Sequence, residues 1–173
     1  MFTLIIGGAA SGKSEYAETL VEHLEGRRVY LATMQPFDEE CRERIAKHRE
    51  MRRSKDFSTI ECYTNLAEVC LPEDSNVLLE CMSNLVANEL YSPNGKGTEA
   101  ILCGVHILLA RCRNLTIVTN EVFSGGEDYA GDTGEYLRQL ALVNRTLAAE
   151  ADNVMELVAG LANILKGKEI CAL

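Results

Sequence analysis

Short apolar runs alternate along the chain with longer stretches of helical periodicity. Five runs read as strands: Thr3–Ile6, Arg28–Ala32, Asn76–Leu79, Leu115–Thr119 and Asn153–Val158. They are rich in Val, Ile and Leu without a strict in–out alternation, as expected of strands covered on both faces of a parallel sheet. Five stretches read as helices: Lys13–Leu24, Asp38–Arg53, Met82–Leu90, Glu99–Arg113 and Thr133–Ala151. In the last of these, Tyr136, Leu137, Leu140, Val143, Asn144 and Leu147 form a broad, mainly apolar stripe at helical spacing. The alternation predicts an α/β fold with a mostly parallel central sheet flanked by helices. Turn chemistry marks Ser92–Thr98 as a loop, and the glycine-bearing Ser124–Thr133 as another. No repeat or low-complexity tract interrupts the pattern, so residues 1–173 are expected to form one domain.

One junction between a strand and a helix carries chemistry. Gly7-Gly8-Ala9-Ala10-Ser11-Gly12-Lys13-Ser14 matches G-x-x-x-x-G-K-S, directly after the first strand and at the start of the first helix. Glycines let backbone N–H groups approach phosphate oxygens closely. Lys13 is placed to reach β- and γ-phosphates, and Ser14 to ligate Mg²⁺. The helix directs its positive end at the same charge. This points to a P-loop NTPase-like nucleotide-binding domain. Such a site needs a carboxylate at the end of an apolar strand for the metal ion. Glu80 after Val77-Leu78-Leu79 is preferred, with Glu121 after Ile117-Val118-Thr119-Asn120 as the second candidate.

Charge narrows the partner. With 26 acidic against 17 basic residues the net charge is -9, which opposes nucleic-acid binding through phosphate neutralisation. A single nucleotide is still compatible, because a nest of backbone N–H groups holds phosphate locally. The seven cysteines form no C-x-x-C pair, which argues for free thiols rather than a zinc site. The first residues lack the basic and long apolar regions of a secretory signal, and no apolar run reaches about 18 residues. A cytoplasmic protein with no membrane span is expected.

Against this acidic background, the Asp38–Arg53 segment is locally basic. It reads as a helix capped by Asp38 with acids in its first turn. Arg44, His48 and Arg52 follow i, i+4, i+8 spacing and are expected on one face. They read either as a solvated helix with Glu–Arg pairs or as a phosphate-facing stripe in which His48 is a nucleophile or acid–base group. His23 and His106 have no such setting.

Together these motifs resemble the bifunctional adenosylcobinamide kinase / adenosylcobinamide-phosphate guanylyltransferase family of cobalamin biosynthesis. The resemblance rests on the phosphate loop, Tyr30-Leu31-Ala32-Thr33, Arg44-Ile45-x-x-His48-x-x-x-Arg52, Thr59-Ile60-Glu61 and Leu79-Glu80-Cys81 with Asn84 and Asn88. Val118-Thr119-Asn120-Glu121-Val122, Asn144 and Ala151-Asp152 complete it. It implies that His48 is the guanylylated residue and that Ala32, Thr33, Met34, Arg49, Arg52, Glu61 and Glu80 contact nucleotide. Arg44, Arg49 and Arg52 would then keep the imidazole neutral. It further implies ATP or GTP as phosphoryl donor, GTP as guanylyl donor, Mg²⁺, adenosylcobinamide as acceptor and a homotrimer. The chain departs from the family pattern at Ala10, where arginine is usual, at Phe57, and along Phe123–Asp128. Two other readings suit the loop alone: a P-loop kinase of another small metabolite, with a dispensable His48, and a nucleotide-binding module without turnover.

Overall fold

The computed structural model describes residues 1–123 and 129–168. Its elements in order are β1 (Phe2–Gly7), α1 (Lys13–Glu22), β2 (Arg27–Ala32), α2 (Glu39–Arg52), β3 (Phe57–Glu61) and β4 (Ser75–Glu80). They continue with α3 (Met82–Tyr91), α4 (Thr98–Arg111), β5 (Asn114–Asn120), α5 (Gly131–Glu150), β6 (Asn153–Val158) and β7 (Leu161–Lys166). One seven-stranded sheet of order β3-β2-β4-β5-β1-β6-β7 carries them, parallel except for the final β6–β7 pair. This is the expected α/β class with a mostly parallel sheet flanked by helices. The strands read from apolar runs are the buried central ones; β1, β4 and β5 are covered on both faces.

The core lies in two layers because successive strand residues point to opposite faces. Leu4, Leu31, Leu79 and Ile117 face α3, α4 and α5 with Leu85, Val105, Leu108, Leu140 and Leu147. Ile5, Tyr30, Leu78 and Val118 face the other way, against Ala17, Leu20 and Val21 of α1. The polar member of the α5 stripe, Asn144, is buried and paired: its carbonyl oxygen accepts from the Thr119 hydroxyl at 2.7 Å, and its amide donates to the Asn120 carbonyl at 3.3 Å. Satisfying both ends spares the core an unpaired amide.

Two strands escaped the sequence pattern, for different reasons. β3 is a half-exposed edge strand whose Ser58 and Thr59 interrupt any apolar run. β7 is exposed along its whole length, so burial left no signature in it. Its hairpin turn, Ala159-Gly160, has φ of 50° and 81°. Two-residue hairpins need positive φ at both positions, and alanine in the first disguises the turn. The expected loop Ser124–Thr133 is shorter than its glycines suggested, since α5 begins at Gly131. Residues Ser124–Asp128 lie outside the described residues.

Helix α4 packs on the turn at Leu66–Glu68 through Gly104. A Cβ there would stand 2.5 Å from Leu66 Cβ and 3.2 Å from the Ala67 nitrogen, neither a flexible side-chain tip. Gly104→Ala should therefore destabilise the protein by roughly 1–3 kcal/mol in urea unfolding, although alanine favours helix. An unchanged midpoint would mean that the Leu66 turn gives way freely.

Candidate active site

Strand register assembles the site. Neighbouring positions on β3, β2, β4 and β5 align Glu61, Ala32, Glu80 and Val118 in one row at the carboxyl edge of the sheet. Gly7 stands between Asn120 and Leu157 farther along the same edge. Ligands of open parallel sheets bind at this edge.

The phosphate loop leaves β1 at Gly7, where a Cβ would meet the Leu157 carbonyl oxygen and Ser11 Oγ, both at 2.6 Å. Only glycine fits that approach. Ala9 and Ala10 form the exposed crest, with Ala10 in the left-handed region at φ 56°. Ser11 is buried, and its carbonyl accepts from the Gly160 N–H of the β6–β7 turn at 2.9 Å. Gly12, at φ 89°, is the N-cap of α1 and offers no side-chain cap. The free N–H groups of a helix start are donors suited to an anion. The Lys13 ammonium donates to the Gly8 carbonyl at 2.8 Å. Burial lowers the Lys13 pKa, and nearby Cys81 and Glu80 oppose that shift.

Ser14, on the first turn of α1, donates from its hydroxyl to Glu80 Oε1. Oε2 of Glu80 is buried and has no hydrogen-bond partner. The Nδ1 of His48 on α2 lies 3.9 Å from the same Oε1, and the His48 side chain is 28% exposed. Glu121, the alternative carboxylate, instead accepts from the Phe123 N–H at 2.9 Å through its Oε1.

A cavity of about 600 Å³ opens between α2 and the ends of β2, β3 and β4. Of the residues singled out in the sequence, Ala32, Met34, His48, Arg49, Arg52, Glu61 and Glu80 line it. Thr33 does not; it is buried and staples the floor. Its N–H donates to the Glu80 carbonyl at 3.1 Å, and its hydroxyl bonds both the Cys81 carbonyl and N–H at 2.8 Å. The loop residues Gly7 to Ser14 lie beside this cavity rather than in its lining. Glu80, whose Oε1 accepts from Ser14 and lies 3.9 Å from His48 Nδ1, joins the two.

The expected arginine stripe divides. Arg52 is buried, stacked 3.4 Å above the Tyr30 ring centre, with Nη1 3.8 Å from Glu18 Oε1. Arg49 pairs with Glu61 at 2.8 Å, and Tyr63 hydroxyl donates to the same carboxylate at 2.8 Å. Arg44 turns out to Glu40 at 3.9 Å and does not line the cavity; Arg42 and Ile45 do. The reason is helical drift: each four-residue step advances about 40° beyond a full turn, so eight residues span about 80°. The charged groups closest to the imidazole thus include carboxylates, not arginines alone.

Glu18 was not singled out in the sequence. It lies one turn beyond Ser14 on α1, a spacing too common to single it out. Its side chain is 0% exposed, and Oε2 accepts from Lys55 Nζ at 2.9 Å. Burial raises the Glu18 pKa, countered first by the Lys55 hydrogen bond. Burial also drives the Tyr30 phenol upward, reinforced by Glu80, so its hydroxyl stays protonated.

Known proteins match this sequence over nearly the whole chain. A family model described as cobinamide kinase / cobinamide phosphate guanyltransferase matches residues 3–165. The bifunctional adenosylcobalamin biosynthesis protein CobU of Salmonella typhimurium is 33% identical, over 96% of this chain and 100% of its own. The protein of that name from Escherichia coli is 32% identical with the same coverage. Bifunctional adenosylcobalamin biosynthesis protein CobP of Pseudomonas aeruginosa is 30% identical over 98% of this chain and 100% of its own.

Burial disfavours the charged form of Lys13, so holding the ammonium in this place costs folding stability. Lys13→Met should hold or raise the melting temperature. It should weaken binding of Mg·GTP by roughly 100-fold, the worth of a charged hydrogen bond of about 2–3 kcal/mol. Calorimetric titration at wild-type affinity would remove the loop from phosphate binding.

Proposed function

The chain belongs to the cobinamide kinase / cobinamide phosphate guanyltransferase family, and from that premise we propose that it is a transferase carrying out both reactions of that name. In the first, a γ-phosphoryl group passes from ATP or GTP to the hydroxyl of adenosylcobinamide. In the second, His48 attacks the α-phosphorus of GTP, pyrophosphate leaves, and GMP stays on the imidazole. Adenosylcobinamide phosphate then takes the GMP to give adenosylcobinamide-GDP. One observation carries this reading: His48 and the phosphate-loop Ser14 both face the same carboxylate oxygen, Glu80 Oε1. A nucleophile and a phosphate cradle that share a wall can serve one nucleotide.

The residues fit their assigned roles. Gly7, Gly8, Ala9, Ala10, Ser11, Gly12, Lys13 and Ser14 hold phosphate through backbone N–H groups and the Lys13 ammonium. Ala32, Thr33, Met34, Arg49, Arg52, Glu61 and Glu80 serve the nucleotide in or under a cavity of a size usual for small ligands. Mg²⁺ fits at Ser14 and Glu80, since buried Glu80 Oε2 is an unclaimed hard oxygen beside the Ser14 hydroxyl. When bound it would neutralise phosphate charge. The whole chain, 1–173, acts as one domain.

Nucleic acid and membrane are not partners on this reading. No helix among the described residues is long and apolar enough to cross a membrane. The six described cysteines are free, which suits the cytoplasm. A homo-oligomer, with the homotrimer implied by the resemblance, is supported by the open β7 edge and its exposed Leu161, Ile164 and Leu165.

A phosphorus–nitrogen bond is labile in acid and stable in alkali. Incubated with α-labelled GTP and Mg²⁺, the protein should acquire one GMP per chain, lost in mild acid and kept in base. His48→Ala should abolish the label and leave phosphoryl transfer largely intact, whereas His23→Ala and His106→Ala should label normally. An adduct that survives His48→Ala sinks the assignment, and no adduct at all leaves a simple kinase. Glu80→Gln should raise the Mg²⁺ concentration needed for half-maximal activity several-fold; if only Glu121→Gln does so, the metal carboxylate is the other one.

A further inference from the structure

The phosphate loop lies directly against the end of β6 and its turn. β6 pairs with β1 as far as Gly7 and Leu157, so the turn that follows β6 is carried beside the loop that follows β1. A Cβ on Gly7 would meet the Leu157 carbonyl oxygen at 2.6 Å, and one on Gly12 would stand 3.3 Å from Gly160 Cα. Between these approaches, the Gly160 N–H donates to the Ser11 carbonyl at 2.9 Å. Val158 pairs with Leu161, which makes Ala159 and Gly160 the turn of the hairpin. The flanking pair closes the ladder and leaves the Gly160 N–H outside it. The turn, with φ of 50° and 81°, directs that donor at Ser11.

We propose that Gly160 is a positioning residue for the phosphate loop, its N–H holding the Ser11–Gly12 peptide in the orientation that binds phosphate. This rests on the reading of the loop as a phosphate cradle. A trans peptide is planar, so its C=O and N–H point in opposite directions. With the Ser11 carbonyl held toward Gly160, the Gly12 N–H points away from the hairpin. Nothing in residue 12 enforces this. Gly12 sits at φ 89°, but glycine populates positive and negative φ about equally, so a flip of the Ser11–Gly12 peptide meets little local resistance. A flipped peptide would present a carbonyl oxygen where an anion needs a donor. The lock therefore comes from outside the loop, and the Gly160 N–H supplies it.

A Cβ on Gly160 would meet nothing within 4 Å, so substitutions there act through φ alone. Valine is strained at a φ of 81°, whereas asparagine accepts positive φ and keeps the N–H in place. In calorimetric titration, Gly160→Val should bind Mg²⁺ tripolyphosphate about three- to tenfold more weakly, the worth of one backbone hydrogen bond. Gly160→Asn should stay within about twofold of the wild type. Gly97→Val is the matched control, with the same φ of 81° and the same empty surroundings at the N-cap of α4. It should lose comparable thermal stability and keep full affinity. In the wild type, NMR should detect the coupling across the hydrogen bond between the Gly160 nitrogen and the Ser11 carbonyl carbon, both without and with Mg²⁺ tripolyphosphate. Wild-type affinity in Gly160→Val overturns the inference, as does an equal loss in Gly160→Asn or in Gly97→Val. So does a coupling that is absent, or that disappears when tripolyphosphate binds, and this result needs no variant to fold. Wild-type protein that binds no Mg²⁺ tripolyphosphate defeats the phosphate-cradle reading itself, and the inference with it.

Discussion

A carboxylate buried at the end of a parallel strand must be satisfied by donors or cations, and the site is built around how Glu80 meets that demand. β4 delivers it to the carboxyl edge of the sheet with its side chain 9% exposed. Backbone register fixes it beside Ala32 on one side and Val118 on the other. Its carbonyl accepts from Thr33, which in turn binds both backbone groups of Cys81 and accepts from Asn88 of α3 at 2.8 Å. The carboxylate therefore cannot drift toward solvent, and α1 and α2 bring Ser14 and His48 to it. A second buried acid, Glu18, repeats the arrangement one turn deeper with Lys55 and Arg52.

What was legible in the sequence follows from how strongly burial marks it. Central strands covered on both faces must be apolar, so β1, β4 and β5 announced themselves. The phosphate loop was legible because close backbone approach restricts residue type, as the contacts at Gly7 show. Edge strands carry neither constraint: β3 alternates weakly and β7 has no buried residue. In the site, Glu80 and His48 were found through strand-end position and helical spacing. Glu18 was not, because nothing local separates a buried glutamate on an amphipathic helix from a solvated one. Its partners Arg52 and Lys55 lie over 30 residues away in the chain, and only the fold brings them together.

Net charge was the weakest guide to the cavity. The chain carries -9 overall, yet Arg42, Arg49, Arg52 and Arg53 gather on one wall. Fields that matter for binding are local, since surface charges beyond about 10 Å are screened at ordinary salt. The acidic remainder of the surface disfavours long polyanions without preventing one triphosphate from entering.

Arg49 and Arg52, both within four residues of His48, are held in ways that suit different tasks. Arg52 is buried, sandwiched between the Tyr30 ring and Glu18, and a desolvated cation–π contact of this kind is worth about 2 kcal/mol. It is fixed before any ligand arrives, and a fixed cation stabilises charge developing nearby without reorganising. Arg49 instead pairs with Glu61 where both side chains are more than half exposed, and such a pair contributes about 1 kcal/mol or less. It can exchange Glu61 for a phosphate at little cost. On the proposed reading, Arg49 draws the triphosphate in and Arg52 steadies the wall beside the attacking imidazole. On that reading the same helix supplies a nucleophile, an exchangeable cation and a fixed cation between His48 and Arg52, and Glu18 holds the fixed end in place.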